Sequence, residues 1–177
     1  MRSGGPDSGP FGLYAVTHGA TTIWERWVGW TEEAGFQDPK MNSFNHYAYG
    51  AVGDWMYRSL GGINLDESQP GYKNIIFRPR PFPGLDHARV QEKGVFGSIV
   101  SSWKVRGTEF ELEIEIPSNS SGILYYPEAF GKNISESGAE LTNAEGLNLI
   151  ESGAGVVIEL ASGKYRFVSE GIGFVAR

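Results

Sequence analysis

The sequence contains no cysteine, and this absence excludes two kinds of site at once. Without thiols the chain can form neither a disulfide bridge nor a thiolate metal centre, and cysteine chemistry gives no indication of the compartment. Only three histidines are present, and they do not combine with carboxylates at the spacing of a metal site. We therefore predict no metal and no cofactor, while the localisation of the protein stays unknown.

Basic residues and long apolar runs are also scarce. The chain has 15 Lys and Arg against 21 Asp and Glu, which gives a formal net charge of −6. Because phosphate contacts require clustered Lys and Arg, we expect no nucleic-acid partner. No apolar run approaches the ~20 residues of a membrane-spanning helix, and the N-terminus lacks the plan of a signal peptide. We expect no membrane partner, and we interpret residues 1–12 as a disordered tail.

Two different hydrophobic periods divide the chain. In residues 13–66 apolar residues recur at helical spacing, and in residues 67–177 they alternate as in strands. Thr21 or Thr22 can cap a first helix, and a second helix is predicted to start with Asn42 or Ser43 as its cap and to be ended by Gly61 and Gly62. The polar stretch 64–71 marks the expected boundary between a helical domain, 13–66, and a β domain, 67–177.

The alternation beyond residue 71 predicts a sheet with one buried face. Glu and large apolar residues alternate most regularly in residues 109–116. The turn residues at 107–108 and at 162–163 predict two hairpins. Strands are predicted over residues 72–77, 88–91, 97–106, 109–116, 123–126, 155–160, 165–169 and 173–176. About eight short strands at regular spacing are typical of an antiparallel β-sandwich.

The residues with the clearest chemistry lie in the helical part. The segment 19–27, G-A-T-T-I-W-E-R-W, places Glu25 between Trp24 and Trp27, and the segment 41–48, M-N-S-F-N-H-Y-A, contains His46. A carboxylate can activate water, indoles stack on the C–H faces of sugars, and an imidazole binds hydroxyls. Each residue also has a structural interpretation. Glu25 stands three residues after Thr22, as in a capping box, the two indoles fit a protein core, and a lone histidine such as His46 is usually structural.

These segments, together with P-G-Y-K at 70–73 and R-P-R-P at 78–81, resemble the C-terminal part of family 78 glycoside hydrolases. That family consists of inverting α-L-rhamnosidases. The resemblance begins at about residue 13, is dense to about residue 83 and is thin beyond. The four blocks occur in the family's order, which is more specific than any single block.

The resemblance implies a fold, an activity and site residues. The expected fold class is α+β, with the terminal helices of an (α/α)6 barrel followed by an antiparallel β-sandwich. The resemblance maps the family's general base on Glu25 and a sugar-binding histidine on His46, and Trp24 and Trp27 are candidates for lining the sugar pocket. The implied substrates are rhamnose-containing glycosides, from which the enzyme hydrolyses terminal α-L-rhamnose.

The stretch that holds the family's general acid has no counterpart in this sequence. Because an inverting glycosidase needs two carboxyl groups, we expect the chain to be a fragment that is inactive by itself. Helices without their barrel neighbours would expose apolar surface, so we also expect either self-association through them or docking of the helices on the sandwich. The alternative function is a non-catalytic carbohydrate-binding or structural β-sandwich module.

Overall fold

The computed structural model describes residues 13–26, 29–40, 42–150 and 155–171. The chain divides into two compact units, Met1–Gly53 and Asp54–Arg177. The predicted tail 1–12 and the predicted strand 173–176 lie outside the described residues. Within the described ranges, no helix combines the length and the apolar character that crossing a bilayer requires.

The regular structure in the described part of the N-terminal third consists of short helical elements and one small hairpin. Helix α1 covers Leu13–Thr17, and a small hairpin pairs β1, Trp30–Thr31, with β2, Gly35–Phe36. A second helical stretch starts as a 3-10 helix, Tyr47–Ala51, continues as α2, Val52–Trp55, and ends as a π-helix, Met56–Leu60.

Of the two predicted helices, the structure contains the second but not the first. The second ends before Gly61 as predicted, but it begins at Tyr47 rather than at Asn42 or Ser43. The first prediction is wrong, since residues 21–26 are not helical. The reason is tertiary, because backbone groups of Ile23 and Glu25 bond to residues 43–46 instead of to their own helix. A capping-box spacing followed by one apolar turn fits either structure.

Within residues 54–150 and 155–171, the second unit forms eleven strands in two sheets. Their bounds are β3 Ile63–Leu65, β4 Asn74–Phe77, β5 His87–Gly94, β6 Gly97–Arg106, β7 Glu109–Ile116, β8 Ser121–Tyr125, β9 Lys132–Glu136, β10 Ala139–Glu140, β11 Leu147–Ile150, β12 Val157–Leu160 and β13 Gly163–Glu170. One sheet has the order β10-β9-β13-β7-β6-β5 and the other β11-β12-β8-β4-β3. Short 3-10 turns occupy Glu128–Phe130 and Leu141–Asn143.

This arrangement confirms the predicted β-sandwich. The pairs within its two sheets are antiparallel except for β4 and β8, which run parallel. Strand β3 places residues 63–65 in the five-stranded sheet. The domain boundary that we predict after residue 66 stays a prediction.

Of the two predicted hairpins, the one at 107–108 is confirmed and the one at 162–163 is wrong. Strands β6 and β7 pair across the turn at 107–108, with Arg106 opposite Glu109. The turn at 162–163 joins no hairpin, because β12 pairs with β8 and β11 whereas β13 pairs with β7 and β9. Ser and Gly indicate a reversal of the chain, but they do not specify whether the next strand stays in the same sheet.

Large apolar side chains from the sandwich strands fill one core. On β7, Phe110, Leu112, Ile114 and Ile116 are all nearly inaccessible to solvent. The largest buried side chain, Trp103, donates from Nε1 to the carbonyl oxygen of Leu60 over 2.7 Å. The core therefore fixes the end of the π-helix as well as the sheets, because a buried indole N–H needs a partner.

Candidate functional site

The two segments that carry the candidate residues lie side by side. The Glu25 N–H donates to the Ser43 carbonyl oxygen over 2.8 Å, and the His46 N–H donates to the Ile23 carbonyl oxygen over 2.8 Å. As residue number rises in one segment it falls in the other, so the two run antiparallel. This pairing, rather than a helix, brings the predicted carboxylate and imidazole segments together.

The Glu25 side chain is oriented by a backbone amide. Its Oε2 accepts a hydrogen bond from the Ser43 N–H over 2.9 Å, and the residue is partly buried. Within the described part of the chain, Oε1 has no hydrogen-bond partner. The capping-box interpretation is wrong in this structure, since the carboxylate accepts from the facing segment and no helix begins at Thr22. One fixed and one available oxygen suit a carboxylate that binds a water molecule.

His46 stands at the start of the 3-10 helix and is partly buried. Its ring centroid lies 5.0 Å from that of Tyr49, at an interplanar angle of 52°. The Tyr49 hydroxyl donates to the Glu25 carbonyl oxygen over 3.3 Å. Tyr49 thus contacts both candidate residues, which the sequence analysis missed. Its position three residues after His46 in a predicted helix was the available signal.

Edge-to-face contacts between aromatic rings join Trp24 to residues of the facing segments. The partly buried Trp24 meets Phe44 edge to face at 5.2 Å, and Phe44 meets Phe36 in the same way at 5.3 Å. Such T-shaped pairs are favourable beyond their buried area. Trp24 therefore has a packing role in this structure. Trp27, the other indole of the motif, lies outside the described residues.

The segment that contains Ser43 and His46 is also held to the backbone of Gly29. Gly29 is buried, and its carbonyl oxygen accepts from the Asn42 side-chain amide over 2.9 Å and from the Gln37 N–H over 3.0 Å. A Cβ at position 29 would stand 3.0 Å from the Asn42 amide atoms. Glycine at 29 thus leaves room for Asn42, which directly precedes the Ser43 amide that orients Glu25.

Within the described ranges, no three His, Asp or Glu side chains form a group able to hold a metal ion. What the described site offers is a carboxylate, an imidazole and aromatic surfaces. This set can accept a proton from water and can bind hydroxyl groups and C–H faces.

Two family models match successive parts of the chain. Residues 8–60 match the bacterial α-L-rhamnosidase six-hairpin glycosidase domain, and residues 62–140 match the bacterial α-L-rhamnosidase C-terminal domain. The two matches meet at Gly61, directly after the last helical turn.

Proteins whose sequences are similar to this chain are also named α-L-rhamnosidases. An α-L-rhamnosidase of Formosa agariphila is 36% identical over 89% of this chain, and one of Streptomyces avermitilis is 35% identical over 87%. A crystal structure of a Streptomyces avermitilis α-L-rhamnosidase, complexed with L-rhamnose, aligns with a TM-score of 0.72 at 33% identity over 88% of the chain. The chain spans only 17% of the Formosa agariphila protein, 14% of the Streptomyces avermitilis sequence and 14% of the chain in the crystal structure.

Proposed function

Because this chain belongs to the bacterial α-L-rhamnosidase family, with parts of its six-hairpin and C-terminal domains, we propose that it serves in the hydrolysis of terminal α-L-rhamnose from glycosides. In this proposal Glu25 is the general base of an inverting reaction. The observation that carries it is the geometry of the Glu25 carboxylate, which one backbone amide fixes while its second oxygen has no partner among the described residues.

The chemistry follows from this geometry. An inverting glycosidase activates a water molecule with one carboxylate while a carboxylic acid on the opposite side, roughly 6.5–9.5 Å away, protonates the leaving oxygen. Glu25 would hold the attacking water on Oε1, because the Ser43 N–H occupies Oε2. As the water attacks the anomeric carbon, its proton passes to Glu25 and the configuration of that carbon inverts.

The neighbouring residues would position the sugar. His46 is proposed to bind a sugar hydroxyl, and its contact with the Tyr49 ring restricts the orientation of the imidazole. Trp24 and Trp27 are proposed to line the pocket, with Trp24 keeping the edge contact to Phe44. Tyr49 is a positioning residue, since its hydroxyl reaches the Glu25 backbone rather than the carboxylate.

The general acid is proposed to come from a part of the six-hairpin domain that this chain does not contain. The chain by itself should therefore be inactive. General acid–base assistance is typically worth ~10²–10⁴-fold per group, and the missing wall of the sugar pocket removes positioning as well.

The proposal is tested by joining this chain to the missing part of a six-hairpin domain. Residues 13–177 of this chain would replace the matching C-terminal part of the Streptomyces avermitilis relative, and hydrolysis of an aryl α-L-rhamnoside would be measured. We expect turnover with β-L-rhamnose as the first product by NMR, and a loss of ~10³-fold or more in kcat on Glu25→Gln. Glu25→Ala should recover turnover with azide and yield the β-azide, because a small anion replaces the activated water.

The controls separate a base from a structural residue. Glu33→Gln removes an exposed carboxylate from the same unit and should leave kcat unchanged. Retained activity in Glu25→Gln, or an α-configured first product, would contradict the proposal. Turnover by the unmodified 177-residue chain would contradict the assignment of the acid to another part.

Self-association belongs to the same proposal. Phe36 exposes 74% of its surface and Tyr47 exposes 88%, although large aromatic side chains are usually buried. We propose that a second copy covers this surface when the barrel is absent. Light scattering across a dilution series should show a dimer that weakens in Tyr47→Ser, and a constant monomer mass would exclude it.

A further inference from the structure

A pocket that the rhamnosidase proposal does not use lies on the second unit. Its volume is about 470 Å³, and it opens between the end of the helical stretch, strands β3 and β4, and the extended segment that follows β4. Three arginines line it together with one carboxylate, Asp54, and with Trp55. This concentration of guanidinium groups stands out in a chain whose net charge is −6.

The arginines are held by their backbone. The Arg78 N–H donates to the Gly62 carbonyl oxygen over 2.7 Å, and the Arg80 N–H donates to the Ser59 carbonyl oxygen over 3.0 Å. Pro79 between them is buried while both arginines are exposed. The alternation of an extended segment therefore points both guanidinium groups away from the core.

The third arginine is also preorganised. The Asn64 side-chain amide donates to the Arg58 carbonyl oxygen over 3.0 Å, and the Arg58 Nε donates back to the Asn64 Oδ1 over 3.4 Å. Asp54 neutralises only this arginine, at 3.8 Å. Arg78 stacks on the Tyr125 ring at 4.0 Å, and Arg80 has no ion pair within the described ranges. Two of the three positive charges thus have no carboxylate partner among the residues that the structure describes.

The remaining lining is apolar and aromatic. Trp55 exposes 49% of its surface and is braced by Phe82, whose ring centroid lies 6.5 Å away. Leu65 and Ile76 complete the apolar wall. Guanidinium groups bind carboxylate and sulfate oxygens in a bidentate manner, whereas an indole stacks on the C–H face of a pyranose. A ligand that satisfies both is a sugar ring with an anionic substituent.

We propose that this pocket binds an acidic saccharide unit, through a uronate carboxylate or a sulfate ester. The choice of a saccharide rests on the proposed function in glycoside hydrolysis, while the choice of an anion rests on the arginines alone. The unit recognised here is not the rhamnose to be released, which carries no charge. It is an acidic sugar elsewhere in the same glycan, so the pocket would select rhamnosides of acidic polysaccharides.

Calorimetric titration of the 177-residue chain tests the proposal. The probes are trigalacturonate, its carboxyl-reduced neutral counterpart, and a sulfated neutral trisaccharide. We expect binding of at least one anionic probe, a much weaker response to the neutral one, and a decrease in affinity as NaCl rises. The relative affinities for the carboxylate and the sulfate identify the natural source of the charge.

Matched variants locate the site. Arg80→Gln should weaken binding about tenfold or more, because it removes a charge-assisted hydrogen bond, and Arg80→Lys should retain part of the affinity. Trp55→Ala should weaken binding while Trp55→Phe preserves it. Arg89→Gln, an equal loss of charge at an exposed position of β5, should change nothing.

Three results would overturn the proposal. They are no binding of either anionic probe at millimolar concentration, equal binding of the neutral probe, and equal effects of Arg80→Gln and Arg89→Gln. Calorimetry does not depend on hydrolysis. A failure here therefore leaves the role of Glu25 standing, and an inactive Glu25-containing hybrid leaves this pocket standing.

Discussion

The two compact units differ in how their residues are held in place. In the second unit sixteen buried hydrophobic residues between Ile63 and Phe167 form one core. In the first unit, among the described residues from Tyr14 onward, Gly29 is the one that is buried. Backbone hydrogen bonds and aromatic edges organise the Glu25 and His46 segments. The part with the candidate chemistry therefore shows no buried hydrophobic cluster among its described residues.

This difference separates stability from function. Burial of apolar area is the main source of stability, so changes inside the sandwich should dominate the free energy of unfolding. Changes around Glu25 should affect activity far more than unfolding, since few buried contacts are lost there. Three predictions test this separation, in order of decreasing effect.

The largest effect is expected at Trp103. This side chain is 1% exposed, and Trp103→Ala removes both its contacts and the hydrogen bond to Leu60. Urea unfolding followed by β-sheet circular dichroism should show a loss of about 3–5 kcal/mol. Trp24→Ala in the first unit is the matched control and should lower the same transition by less than ~1 kcal/mol. Equal losses would remove the distinction between the units.

The next effect is expected at Gly62, where the chain enters β3. Gly62 has a φ of +75°, and a Cβ there would stand 2.1 Å from the Pro79 nitrogen. Because backbone cannot move aside as a side chain does, Gly62→Ala should cost about 2–4 kcal/mol in thermal unfolding. Gly53 has open space around its missing Cβ and lies in α2, so Gly53→Ala should be neutral or stabilising by ~0.5–1 kcal/mol. Similar results for both would contradict the close approach at Gly62.

The smallest effect concerns the pH dependence of the sandwich. Burial raises the pKa of Tyr126 to about 12 from its ordinary 10.0, although the hydrogen bond to Ser169 opposes the shift. The unfolded state releases this proton first, so stability is intact below pH 10 and falls as the pH rises toward 12. The decrease should be roughly 2 kcal/mol by chemical denaturation.

The Tyr126→Phe variant isolates this contribution. It should be less stable at neutral pH by about 1 kcal/mol, since it leaves the Ser169 hydroxyl without its donor. It should also lose less stability than the unmodified protein between pH 10 and 12. Burial raises the pKa of Tyr72 and Tyr165 as well, so part of the alkaline decrease remains in the variant. An unchanged alkaline profile would assign the effect to those tyrosines.

Sequence reasoning predicted the sandwich better than the site. The alternation in 109–116 and the turn at 107–108 predicted β6 and β7 correctly, because period two and a local reversal are properties of short segments. Strands β3, β9, β10 and β11 were missed, since strands of two to five residues are too short to show a clear alternation. In the site, Tyr49 was missed and the first helix was wrong, because both depend on contacts between residues about twenty apart.

The sequence by itself determined the buried faces of the strands, the end of the second helical stretch and the resemblance to α-L-rhamnosidases. Those features reside in local period, turn residues and short motifs. Only the tertiary structure decided that β13 pairs with β7 and β9 rather than with β12, and that β4 runs parallel to β8. It also decided that the Ser43 amide, rather than a helix cap, orients Glu25. A local sequence pattern specifies which face of a segment is buried. Which other segment packs against that face depends on the packing of the whole chain.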